Sequence, residues 1–239
     1  MPLPIIAAPT YELVLPSTGE DLQFRPFLVR EEKLLVLALE SEDPKQITTS
    51  IKTVIKNCIL SKGIKVETLP TFDIEFLFLN IRGKSVGEEI EVNVLCPDDE
   101  ETYVPVTINI DDIGVKKTEG HDRLIKIDDS IAMEMKYPSL EQFIKSNFDF
   151  TGESSVEQSF DLIATCISQI ITEDETWDLD SVPKNEVTAF LDQMNSNQFK
   201  LIEKFFDTMP KLSHEIEVLN PTTKVKSTVV LEGLSSFFA

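Results

Sequence analysis

Residues 22–40 read LQFRPFLVREEKLLVLALE, a strand that turns into a helix, and the rest of the chain is organised around that change of period. Upstream, Leu13, Leu15, Leu22 and Phe24 bracket a turn built on Pro16-Ser17-Thr18-Gly19. Apolar residues alternating around a Pro/Ser/Gly cluster predict a β-hairpin. Pro26 ends the strand, because it cannot donate to a ladder and drives Arg25 out of the helical region. A helix follows. Glu31 and Glu32 sit in its first turn, where the helix dipole favours negative charge, and Leu34, Leu35, Leu37, Ala38 and Leu39 give a broad apolar face. The stretch reads as a packing device that ties the hairpin to the next elements.

Working outward, Pro44 starts a second helix with Ile47, Ile51, Val54, Ile55, Cys58 and Ile59 in a helical stripe, and residues 61–63 stop it. A short strand is expected over 64–66. A third helix over 71–82 is apolar nearly all round and predicts the buried centre of the N-terminal half; residues 83–87, GKSVG, break it. Ile90, Val92 and Val94 alternate, as do Val104, Val106, Ile108 and Ile110, so two strands flank a polar loop at 95–101. A boundary falls between Lys116 and Arg123. A strand pair then turns at Asp128-Asp129-Ser130, and Pro138 starts a short helix through Phe143 and Ile144. From Ser155 a long amphipathic helix is expected through Ile171. The acidic stretch 173–180 interrupts it, and two more helices follow, one opened by Pro183 and one ended by Pro210. A last hairpin covers 215–231. The string Glu-Ile-Glu-Val at 89–92 recurs at 215–218, each time after an aromatic-rich helix and before a Pro turn. Two copies of a helix-plus-hairpin unit are one reading of that echo, and chance is the other.

The 239 residues are 41% hydrophobic, enough for one large domain or two small ones, and carry a net charge of −20. That charge argues against nucleic acid or anionic lipid as a partner, since both demand Lys/Arg clusters. It suits basic partners or colloidal repulsion. Cys58, Cys96 and Cys166 are far apart and odd in number, which fits neither a disulfide framework nor a metal knuckle; Cys58 and Cys166 read as core residues of a protein in a reducing compartment. No apolar run is long enough for a transmembrane helix. The opening MPLPIIAAPT lacks a basic region and reads as an extended arm rather than a signal peptide.

Motifs that carry chemistry are few. The 173–180 stretch lacks the glycine and terminal glutamate of an EF-hand loop and reads as a solvated connection. His121 and His214 stand at element edges without ligand spacing. No G-x-S-x-G, G-x-G-x-x-G or P-loop is present. The thiolate of Cys96 would be disfavoured by its acidic loop. No metal, cofactor or small-molecule substrate is therefore expected, and no catalytic residue is assigned. Trp177 reads as buried. Leu234, Phe237 and Phe238 follow Gly233 at spacings that place them on one face of a short turn, a candidate partner-binding element that either packs on its own domain or docks on a partner.

The sequence also resembles the baseplate hub assembly proteins of T-even-type contractile-tailed bacteriophages. Three segments carry the resemblance: FRPFLV with EEKLL (24–29 and 31–35), RGKSVGE (82–88) and LEGLSSFF (231–238). Their order spans nearly the whole chain. Relatives in that family carry cysteine pairs in hairpin loops that look like zinc ribbons; here the matching loops offer only Cys96 and, in Asn220-Pro221-Thr222-Thr223, no cysteine, so no metal is carried over. The resemblance implies a non-enzymatic protein that builds the tail baseplate hub in the host cytoplasm through contacts with other hub proteins, with the tape-measure protein a further candidate partner and the virion baseplate a further location. The competing class is a tail-associated hydrolase with an unrecognised carboxylate pair. The fold class expected is α+β, helices packed with short antiparallel hairpins, divided at 1–116, 117–151 and 152–239.

Overall fold

A computed structural model describes residues 6–41, 43–139 and 156–237 of the chain. The expected hairpin forms: β1 (Tyr11–Val14) pairs antiparallel with β2 (Asp21–Phe24), Leu13 facing Leu22. Gly19 closes the turn at φ +74°, donating to the Leu15 carbonyl at 2.8 Å, a conformation that glycine adopts without Cβ strain. α1 (Val29–Glu40) and α2 (Pro44–Cys58) follow. Residues 64–66 are not a strand; Val66–Thr68 is a 3-10 turn instead. The edge of β2 that could have received them is already used, because Leu60 N donates to Gln23 O (2.8 Å) and Gln23 N donates to Ser61 Oγ (2.8 Å).

α3 (Thr71–Val86) is buried on most sides, as its composition predicts, with Phe72, Ile74, Leu77, Leu79 and Ile81 inside. It runs a turn past the expected break. Gly83 lies within the helix, and a Cβ there would stand 2.9 Å from Cδ1 of Ile110, so this glycine serves close packing, and the helix ends only at Gly87 (φ +129°). β3 (Glu89–Leu95) and β4 (Tyr103–Asn109) form the expected ribbon, Val92 opposite Val106. A 3-10 turn at Ile110–Asp112 leads to β5 (Gly114–Lys116).

The middle of the chain builds a four-stranded antiparallel sheet, β6 (Leu124–Lys126), β7 (Ile131–Met135), β8 (Ile167–Thr172) and β9 (Thr176–Asp178), in that order. Asp128 Oδ1 accepts from Ser130 N and Ile131 N and fixes the predicted turn between β6 and β7. The short helix expected from Pro138 falls, beyond Ser139, outside the described residues. The helix expected from Ser155 through Ile171 is a correction: α4 (Val156–Thr165) stops at Thr165, and the isoleucines beyond it are strand. A bulge explains the misleading spacing. Met135 pairs with Ile167, and Glu134 pairs with Gln169, so Ser168 is the extra residue. Ile167 and Ile170 thereby face the same side despite being three apart, which mimics a helical stripe. α5 (Lys184–Leu191) and α6 (Ser196–Thr208) cover this sheet, and Asn195 caps α6 in a capping box with Gln198.

β10 (Lys211–Leu219) and β11 (Lys226–Glu232) form the last hairpin, followed by a 3-10 turn at Leu234–Phe237. The hairpin does not stay with the helices before it. β10 pairs with β5, giving the sheet order β11-β10-β5, and Leu212, Ile216, Val218, Leu234 and Phe237 enter the core built by β1 to β4 and α1 to α3. The chain thus leaves a first core at Lys116 and rejoins it at Lys211. Between those points β6 to β9 and α4 to α6 enclose a second core around Met133, Met135, Ile167, Ile202 and Phe205. Helices and small antiparallel sheets packed in this way make the α+β fold that the sequence predicts.

Candidate interaction surface

The three segments singled out in the sequence come together around α3. Phe27 N donates to Ser85 Oγ at 2.7 Å, and the Phe27 ring lies 5.8 Å from that of Phe78. This joins the first segment to the second. The third reaches the same helix from its other end: Gly233 turns at φ +72°, and Leu234 N donates to Oε1 of the buried Glu75 at 3.5 Å. Leu234 and Phe237 are 2% and 1% exposed, so the expected common face of the tail points into the first core. Phe238 lies outside the described residues.

The first segment holds a buried ion pair that the dipole argument alone does not predict. Glu31, read from sequence as a first-turn acid, is buried and receives Arg25 Nη2 at 2.8 Å, Arg30 Nε at 2.8 Å and Leu28 N at 2.9 Å. Burial raises the cost of its charge, but the hydrogen bonds from Arg25, Arg30 and the Leu28 amide outweigh that and hold its pKa down at about 2. The sequence signal was a glutamate at the third position of a helix, where its side chain can reach back to the N-cap amide. This network pins the start of α1. The helix rests on the core through Ala38, with Leu34 and Leu35 half-buried. Its other side carries Val29, Val36 and Leu37 at 81%, 49% and 53% exposure, with Leu28 beside them. Spacings of seven and eight place those three on one face. An exposed apolar row of this kind marks an interaction site more often than a lone exposed leucine does.

The tips of the two Glu-Ile-Glu-Val hairpins meet. In both, the isoleucine and valine are buried and the glutamates exposed. Both loops turn alike: Glu100 N donates to Cys96 O and Lys224 N to Asn220 O, each at 3.0 Å, and Glu100 and Lys224 have φ +54° and +64°. Asn220, itself buried, donates through Nδ2 to Asp98 (3.1 Å) and Asp99 (2.8 Å), while its Oδ1 accepts from Thr222 N (2.8 Å) and Thr223 N (3.2 Å). Thr223 Oγ1 donates to Asp98. The Asp99 carboxyl is held well below the usual carboxylate range by Thr102 and Asn220. The clasp is therefore an amide satisfying two carboxylates. No group of His, Cys, Asp and Glu that could hold a metal occurs among the described residues.

All three cysteines are free and buried. Burial raises the thiols of Cys58 and Cys166 to about 11, and burial, with Asp98 and Asp99 beside it, raises that of Cys96. His121 packs against both Tyr137 (5.7 Å) and Phe205 (5.1 Å), whose rings also stack on each other at 5.7 Å. Thr208 Oγ1 donates to Lys204 O, so it accepts from His121 Nδ1 (2.9 Å), which leaves Nε2 to accept from Tyr137 OH (3.1 Å). His214 Nδ1 donates to Asp112 O at 3.0 Å. Trp177 corrects the expectation of burial: it is 41% exposed on β9, the three-residue edge strand of its sheet, all of whose residues face solvent. The acidic stretch around it is a turn, that strand and a 3-10 turn rather than a helix connection. Between the two cores lies a cavity of about 530 Å³ lined by Leu69, Pro70, Arg123, Lys136 and Tyr137 among others. No helix among the described residues is long and apolar enough to cross a membrane.

A family model described as T4 bacteriophage base plate protein matches residues 8–239. No curated protein and no solved structure matches the chain.

Proposed function

The chain belongs to the T4 bacteriophage base plate protein family, and from that premise we propose that it is a non-enzymatic assembly factor or subunit of the baseplate hub, acting through protein–protein contacts. The observation that carries the reading is the exposed row of Val29, Val36 and Leu37 on α1, held in place by the Arg25–Glu31 pair. A rigid helix with an apolar outer face suits helix-in-groove or helix-on-helix docking. The partners are other hub proteins, with the tape-measure protein next in order, and they meet this chain in the host cytoplasm during tail assembly. The tail residues 233–237 support the reading indirectly, by fixing the core on which α1 rests.

The test is capture from infected cells with tagged chain and with a Val36→Glu, Leu37→Glu variant. Hub proteins should co-purify with the parent and be lost with the variant, whose melting temperature should match the parent because both positions face solvent. Undiminished capture by the variant would take α1 out of the reading. A parent that captures no baseplate protein would overturn the hub role.

A further inference from the structure

β11 is the outer strand of its sheet, and no strand of the described residues lies on its far side. The ladder fixes which groups face that side. Asn220 N donates to Val225 O (3.0 Å) and Gly233 N donates to Leu212 O (2.9 Å). With Ile216 opposite Val229 in the same register, Ser227, Val229 and Leu231 turn their backbone groups towards β10. Lys226, Thr228, Val230 and Glu232 turn theirs outward, and these four are the exposed residues of the strand. Glu232 O already accepts from Ser236 Oγ at 2.6 Å. Edge strands are usually blunted by proline, a bulge or an inward charge. β4 carries Pro105; β11 has no proline or bulge, its exposed charges Lys226 and Glu232 stand only at its ends, and Thr228-Val229-Val230 runs uninterrupted at its centre.

We propose that β11 is a self-association edge, at which two copies of this chain pair antiparallel about a two-fold axis through Val229. The strand KSTVVLE is complementary to itself in that arrangement. Lys226 lies opposite Glu232 of the second copy, and Ser227 lies opposite Leu231. Thr228 and Val230 of the two copies, whose groups face outward, exchange hydrogen bonds, and Val229 meets Val229. A parallel pairing in register would set lysine against lysine and glutamate against glutamate. Slipping the antiparallel pairing by two residues, the next shift that keeps the outward groups aligned, breaks both Lys226–Glu232 pairs; in the one direction that brings Glu232 opposite another lysine, Lys224, that residue lies in the turn at φ +64° with its ammonium donating to Pro221 O. The contact is isologous and closes on itself. It joins two three-stranded sheets into one. Lys226 and Glu232 are also near Glu217 (3.9 Å) and Lys211 (3.7 Å) of their own chain, so the charges select register while the backbone ladder and the apolar centre supply attraction. The net charge of −20 on each copy opposes the approach, and is screened beyond roughly 8 Å at physiological salt.

Sedimentation equilibrium of the full chain over a concentration series at roughly physiological salt tests this. The parent should show a monomer–dimer equilibrium. Val230→Pro removes an outward donor and leaves the ladder to β10 intact, and should weaken dimerisation roughly tenfold or more with little change in melting temperature. Val230→Lys, which leaves the backbone untouched, should weaken it as well and covers the case in which the proline variant fails to fold. Val229→Cys under mild oxidation should give a covalent dimer, since the natural cysteines are buried. A parent that stays monomeric throughout, or a dimer that both Val230 variants leave at full strength, would overturn the proposal.

Discussion

Glu31 shows how one carboxylate can fix the direction of a helix. It is buried beside Arg25, whose guanidinium is itself mostly covered, and also receives the more exposed Arg30. Removing one partner of such a pair leaves an uncompensated charge, so Glu31→Gln should lower stability by about 3 kcal/mol in denaturant titrations at neutral pH. The pH dependence has a definite sign. A carboxyl whose folded-state pKa is depressed from 4.5 to about 2 stabilises the fold above its ordinary range and loses that contribution as pH falls through about 2. The gap between parent and Glu31→Gln should therefore narrow as pH drops from about 5 towards 2. Asn220 is the second decisive residue. Its amide separates the Asp98 and Asp99 carboxylates, and Asn220→Ala should cost roughly 1–3 kcal/mol, read as a lower melting temperature. Asn220→Asp would set a third carboxylate between the two, and the damage should be larger at neutral pH and partly relieved on mild acidification.

Among elements, hairpins and helices with a single period were legible. Leu13, Leu22 and Phe24 gave the first hairpin, the apolar surround of α3 gave the buried helix, and Asp128 gave its turn. Where a local pattern served two structures, sequence reasoning chose the commoner one. Gly83 reads as a helix stop until Ile110, far along the chain, is seen packed on it. Ile167 and Ile170 read as helix because a one-residue bulge converts a strand's period into three. Phe76, Phe27 and Leu35, apolar residues of the stretches that build the first core, are half-buried, while Phe24 and Leu79 are fully enclosed; periodicity located the face, and only packing set its depth. The tail was legible as a turn on one face, and its destination was not, because Glu75 and the first core are distant in sequence. Phe237 now carries a sharp expectation: Phe237→Ala should destabilise the protein by roughly 3–5 kcal/mol, as for other enclosed aromatic residues, and thermal unfolding will show it.

For the whole molecule, the contacts among the described residues that join the two cores include one aromatic contact and a pair of hydrogen bonds to a single carbonyl. Phe72 meets the Tyr137 ring edge-on at 5.1 Å, and Thr71 donates through both N (2.9 Å) and Oγ1 (2.8 Å) to Pro138 O. Phe72→Ala should loosen this joint, and calorimetry should then resolve two transitions where the parent is expected to give one. The path of the chain has a further consequence, for its birth on the ribosome. β5 is made early, and its partner β10 emerges only after the entire second core has been synthesised. Domains usually fold in the order in which they are translated. Here the earlier-made core lacks the β10–β11 hairpin and the Leu234 and Phe237 side chains until late, whereas the second core has all its described pieces at about Thr208. The nascent chain thus completes its middle before its beginning, and in that interval the first core waits with an open flank, the stretch of synthesis during which a chaperone would find most to hold.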